Sequence, residues 1–137
     1  MWANLALAAL QARKAKGAAV PAALWLISPY LHLTHAGTSN TARAALYPFI
    51  DPTGMNDTAR TYLGDADPAD PRASPLFGPV EGLPTSLIQI GSDEVLFDDA
   101  TRLRDAITAT DGRAVFQEWA GMIHVWLLFA HAVDEGA

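Results

Sequence analysis

From Trp2 to Lys16 the chain runs without Gly or Pro, is dense in Ala and Leu, and stops at Gly17. Helix formers closed by a glycine predict an α-helix with a glycine C-cap. Its Ala and Leu surface should pack on a sheet, with Gln11, Arg13 and Lys14 turned to water. The run Ala22-Ala23-Leu24-Trp25-Leu26-Ile27 does not alternate with polar residues and ends at Ser28-Pro29. It predicts a parallel strand covered on both faces. A second strand, Ser86 to Ile90, lies between Pro84 and Gly91. From Phe97 to Thr110 the apolar residues Phe97, Ala100, Leu103 and Ile107 recur at three- and four-residue steps, with Asp98 or Asp99 set against the N-terminal dipole of the helix this predicts. Asp111-Gly112 turns the chain into a third strand, Ala114 to Trp119, and a last helix is expected from about His124 to Val133.

Strand, helix, strand, helix is the rhythm of parallel βαβ units, so the fold class is α/β with about three parallel strands and flanking helices. The stretch from Tyr30 to Pro84 breaks that rhythm. It holds seven prolines, Pro84 included, and only a short helical patch at Asp57 to Leu63. Segments this long are commonly functional insertions, and residues 35 to 65 are expected to form a lid over a site. No domain boundary or internal repeat is visible.

Composition narrows the chemistry. Nine Lys and Arg against 15 Asp and Glu give a net charge of −6, which argues against nucleic acid and anionic membrane surfaces as partners. With no cysteine, thiolate nucleophiles, thiolate metal sites and disulfides are excluded, and a reducing compartment fits. No secretory signal or membrane-length apolar run is present, so a soluble, cytoplasmic protein without a membrane span is expected. His35 and His131 have no ligand-like spacing with acids, and neither a metal nor a cofactor is expected. His32 is expected at the surface, and Trp25 and Trp119 in the core.

The candidate chemistry lies at the ends of the second and third strands. Asp93 follows Gly91 by two residues, and His124 follows Gly121 by three. Carboxylate and imidazole at neighbouring C-terminal strand ends meet above the sheet edge, where the acid fixes the tautomer and stabilises the imidazolium. Taken singly, Asp93 reads as a turn or cap residue and His124 as a structural histidine; the pair with its glycines favours a site. Tyr30, Phe49 and Trp126 are candidates for a substrate-binding acyl pocket, with ordinary packing as the competing reading.

Gly91-Ser92-Asp93-Glu94-Val95-Leu96 and Gly121-Met122-Ile123-His124 resemble the acid and histidine motifs of hormone-sensitive-lipase-like α/β-hydrolases. Ser28-Pro29-Tyr30-Leu31-His32-Leu33-Thr34 and the stretch from Asp70 to Leu76 resemble that family's segments after its sixth strand and before its seventh. The resemblance covers essentially the whole chain. It implies the C-terminal part of an esterase or lipase-like fold with Asp93 and His124 as catalytic residues, no cofactor, and a small-molecule ester as substrate of the intact parent. Ala3-Asn4-Leu5-Ala6 matches the end of the family's nucleophile elbow, which would put the serine immediately before Met1. Residues 1–137 are therefore expected to be a partial domain lacking the N-terminal strands, the oxyanion loop and the elbow. Ser28, Ser39, Ser74, Ser86 and Ser92 lie in no Gly-x-Ser-x-Gly turn and read as border or turn residues. The alternative is a catalytically inactive remnant or an interaction module that self-associates through an exposed sheet edge.

Overall fold

The computed structural model describes residues 2–46 and 52–129. Helix α1 spans Trp2–Ala15. It closes as the sequence predicts: Gly17 takes φ +66°, Ala18 N donates to Arg13 O and Gly17 N to Lys14 O, the paired bonds of a Schellman cap. Its buried stripe is Asn4, Leu7, Leu10 and Gln11. Gln11 was expected in water, but its Nε2 donates to Pro75 O at 2.9 Å, and Asn4 Nδ2 donates to Ala73 O at 2.7 Å. Seven residues apart, the two amides share one face and dock α1 on the loop ahead of the second strand.

Strands β1 (Ala23–Ile27), β2 (Thr85–Gly91) and β3 (Ala114–Trp119) form one parallel sheet in the order β1-β2-β3. Trp25 pairs with Leu87, and Ile88 with Phe116. Only the middle strand has the two-sided cover that its apolar run predicts: Ser86, Ile88, Gln89, Ile90 and Gly91 are buried. β1 was expected to be covered as well, yet Trp25 is 61% exposed and only Leu26 is buried. The reason is position, since among the described residues β1 pairs on one side only. Trp119, also expected in the core, is 42% exposed on β3 at the other edge. Trp25 Nε1 donates to Gln89 Oε1 at 2.6 Å, and Gln89 Nε2 to Gln117 Oε1 at 2.6 Å, so a polar row crosses all three strands.

Between β1 and β2 the chain forms a short helix α2 (Ser39–Ala42) and α3 (Pro52–Leu63). α3 starts earlier than its sequence patch because proline suits the first helical position. Met55 and Ala59 bury its inner face. α4 (Phe97–Ala109) buries Asp99, Ala100, Leu103 and Ile107. Asp99 fastens the chain leaving β1: its Oδ2 accepts from Leu31 N at 2.6 Å, and its Oδ1 lies 3.2 Å from His32 Nε2. His32 is thus buried, not at the surface as expected. A carboxylate 67 positions away along the chain keeps it inside. Of the last expected helix, His124 and Val125 form a turn and Trp126–Phe129 a 3₁₀ turn; residues 130–133 lie outside the described residues. No helix among the described residues is long and apolar enough to cross a membrane.

Candidate active site

The C-terminal ends of the three strands converge on one carboxylate. After β2 the chain turns at once, Glu94 N donating to Gly91 O at 3.3 Å, and this folds the Glu94 side chain back beneath the strand end. Its Oε1 accepts from Gly91 N and from Ser28 Oγ, each at 2.7 Å. Its Oε2 stands 2.9 Å from His124 Nδ1. Glu94 is fully buried, and the His124 side chain is a quarter exposed.

The sequence placed Asp93 opposite the histidine; the structure places Glu94 there. Asp93 Oδ1 accepts from Ser92 Oγ at 2.8 Å, and that hydroxyl accepts from Gly121 N at 2.8 Å. Asp93 therefore braces the turn at Gly121 from outside while Glu94 faces the ring from within. Two consecutive acids at a strand end could not be separated by spacing, because the tight turn decides which one points inward. Ser28, read from sequence as a strand border, is the second residue the sequence missed. It is buried at the end of β1 with φ +46°.

Tyr30 is buried and its ring stacks on His35, with centroids 5.6 Å apart; its hydroxyl meets His35 Nε2. Trp126 is buried against Trp119 at 4.5 Å between centroids. Phe49 lies outside the described residues, as does His131. Arg43, beyond α2, stacks 3.8 Å over Phe97 and donates to Ser92 O, tying the segment after β1 to the acid turn. Among the described residues no group of three His, Asp or Glu is arranged to hold a metal ion.

A family model described as the alpha/beta hydrolase fold matches residues 3–128. The chain belongs to the α/β-hydrolase family. It is 42% identical over 134 residues to an acetyl-hydrolase of Streptomyces hygroscopicus, covering 98% of this chain and 45% of that protein. It is 36% identical over 128 residues to an esterase of Acinetobacter venetianus, covering 93% and 42%. A crystal structure of an esterase from the bacterial hormone-sensitive lipase family superposes with a TM-score of 0.93 at 36% identity, covering 98% of this chain and 45% of that one. This α/β-hydrolase chain thus spans less than half the length of the relatives it matches, and its resemblance to hormone-sensitive-lipase-like enzymes stands on both sequence and fold.

Burial sets the protonation of the pair. It pushes the Glu94 carboxyl up from 4.5 to about 7, against the hydrogen bonds from Gly91 N and Ser28 Oγ, and it holds His124 down from 6.5 to about 4. Between those values the folded pair carries one proton, whichever atom holds it. Unfolded, the pair also carries one proton between 4.5 and 6.5, on the histidine, so its contribution to stability is flat with pH in that window. Each group alone has a slope. In His124→Ala the folded state holds the Glu94 proton that the unfolded chain has lost, so stability falls as pH rises from 4.5 to about 7. In Glu94→Gln the unfolded chain protonates His124 first, so stability rises with pH from about 4 to 6.5. Urea unfolding at about pH 5 and about pH 6.5 should show changes of opposite sign, on the order of 2 kcal/mol each. Slopes of the same sign in both variants would refute the shared-proton account.

Proposed function

We propose that this chain supplies the acid-base part of a carboxylic ester hydrolase acting on a small-molecule ester through an acyl-enzyme. The observation that carries this reading is the hydrogen bond between buried Glu94 and half-buried His124 at the C-terminal strand ends, where α/β folds place their chemistry. In this reading Glu94 fixes the tautomer with the proton on Nδ1. His124 Nε2 takes the proton of a serine and returns it to the leaving group. The serine is the one the resemblance places just ahead of Met1, with the oxyanion loop in the length of the relatives that this chain does not span. Residues 35 to 65 serve as the lid, supported by the contacts of Arg43 with Phe97 and Ser92. Tyr30, Phe49 and Trp126 belong to the acyl pocket, and we place the protein in the cytoplasm.

The exposure of Trp25 on β1, whose outer edge is unpaired among the described residues, favours a second reading, an interaction module that self-associates through that edge. One experiment separates the two. The chain is put in place of the matched stretch of the Streptomyces acetyl-hydrolase, and the chimera is assayed on a short-chain aryl ester beside its His124→Ala variant. Hydrolysis abolished by His124→Ala is the expected result. A folded chimera that does not hydrolyse the ester, or whose activity survives His124→Ala, would overturn the hydrolase reading and leave the module.

A further inference from the structure

Three chain segments far apart in sequence meet at one hydroxyl. Ser28 Oγ donates to Glu94 Oε1 at 2.7 Å and accepts from Val125 N at 2.9 Å, so it touches both the acid and the residue after the histidine. It is buried, and Ser28 N donates to Gln89 O at 2.8 Å, which continues the β1–β2 ladder to the strand end. Both partners of the second bond are in uncommon backbone conformations: Ser28 at φ +46° and Val125 at φ +51°. A non-glycine residue in the left-handed region costs on the order of 1 kcal/mol or more, most for a β-branched residue such as Val125, and persists where surrounding contacts hold it. The Ser28–Val125 bond is such a contact.

We propose that Ser28 is a positioning residue for the Glu94–His124 pair, clamping the carboxylate and the histidine loop into one geometry through a single hydroxyl. The inference rests on the proposed hydrolase reading for its catalytic consequence, but not for its structural one. A hydroxyl that donates to Oε1 leaves Oε2 for Nδ1, so the two carboxylate oxygens have separate tasks. It also favours the ionised carboxylate over the burial that opposes it. Without the hydroxyl, Val125 N loses its acceptor, and the loop from Gly121 to Val125 loses its tie to β1. Ser28 does not reach the reacting atoms; it acts through Glu94 and His124.

The test is an NMR titration of the His124 Cε1–H resonance in the 137-residue chain, comparing wild type with Ser28→Gly, which removes the hydroxyl while accepting the positive φ. The pair of the wild-type protein should lose its shared proton near pH 7, where burial puts Glu94. In Ser28→Gly the midpoint should move up by about one pH unit, a tenfold change in proton affinity. If that variant does not fold, Ser28→Cys, with a weaker donor of similar size, must move the midpoint in the same direction. An unchanged midpoint in a folded variant would overturn the inference whatever the enzyme does. In the chimera, the acid limb of kcat/KM should shift upward by the same amount and kcat should fall about tenfold with KM unchanged. A shifted midpoint in a chimera that hydrolyses no ester would leave Ser28 as a positioning residue and remove the hydrolase reading alone.

Discussion

Glu94→Gln in the hydrolysing chimera should lower kcat about 10³- to 10⁴-fold, while Asp93→Asn should leave it within about threefold. A glutamine keeps the shape of Glu94 but changes what its two polar atoms do. Oε1 accepts two hydrogen bonds, from Gly91 N and Ser28 Oγ, so the amide oxygen must stay there and the NH₂ group must face His124 Nδ1. A donor facing Nδ1 forces the histidine proton onto Nε2, the atom that should accept the proton of serine. The imidazolium also loses its counter-charge. Asp93 has no such leverage, because its hydrogen bond runs to Ser92 on the outside of the turn. The assay is initial-rate hydrolysis of a short-chain aryl ester. A large loss in Asp93→Asn with a small one in Glu94→Gln would return the acid's role to Asp93.

Gly91→Ala should be nearly as damaging, and by a different route. A Cβ at Gly91 would lie 1.9 Å from Met122 O and 2.5 Å from Met122 C, both backbone atoms of the loop that carries His124. Contact at that distance is impossible, so the loop or the strand end must move by more than an ångström. The loop offers less resistance, since β2 is held on both sides by its neighbours. Its movement would carry Nδ1 out of reach of Glu94 Oε2. Misplacement on that scale costs about 10²-fold or more in rate, and the overpacking costs about 1–3 kcal/mol of stability. Activity of the chimera and the urea midpoint of the chain itself should both fall. If both stay at wild-type values, the close approach of β2 to the histidine loop would be refuted.

The sequence was informative where the signal was local. α1, β2, α4 and β3 were legible because glycine, proline and periodicity mark their ends, and the glycine-capped end of α1 reappears in the Gly17 dihedral. Long-range features were not legible. His32 looks like a surface histidine until Asp99 is found beside it, and Gln11 looks solvated until Pro75 O is found to accept from it. Trp25 fits a buried strand by composition, but burial also depends on how many strands lie beside it. At the site, the sequence reading paired His124 with Asp93, whereas the structure sets the neighbouring acid, Glu94, against the histidine ring. The difference is made by a four-residue turn, Gly91 to Glu94, that brings the longer side chain under the backbone of Gly91. Ser28 was legible as a strand border but not as a partner of the acid, because its two side-chain partners lie 66 and 97 positions away.

The row of side chains from Trp25 through Gln89 to Gln117 has a direction. An indole nitrogen only donates, so Gln89 must turn its oxygen toward β1 and its nitrogen toward β3, and Gln117 must then accept with its own oxygen. One tryptophan therefore settles the orientation of two amides, the farther of them two strands away. The row ends on the Gln117 amide NH₂, so whatever meets the outer edge of β3 at that level meets a hydrogen-bond donor.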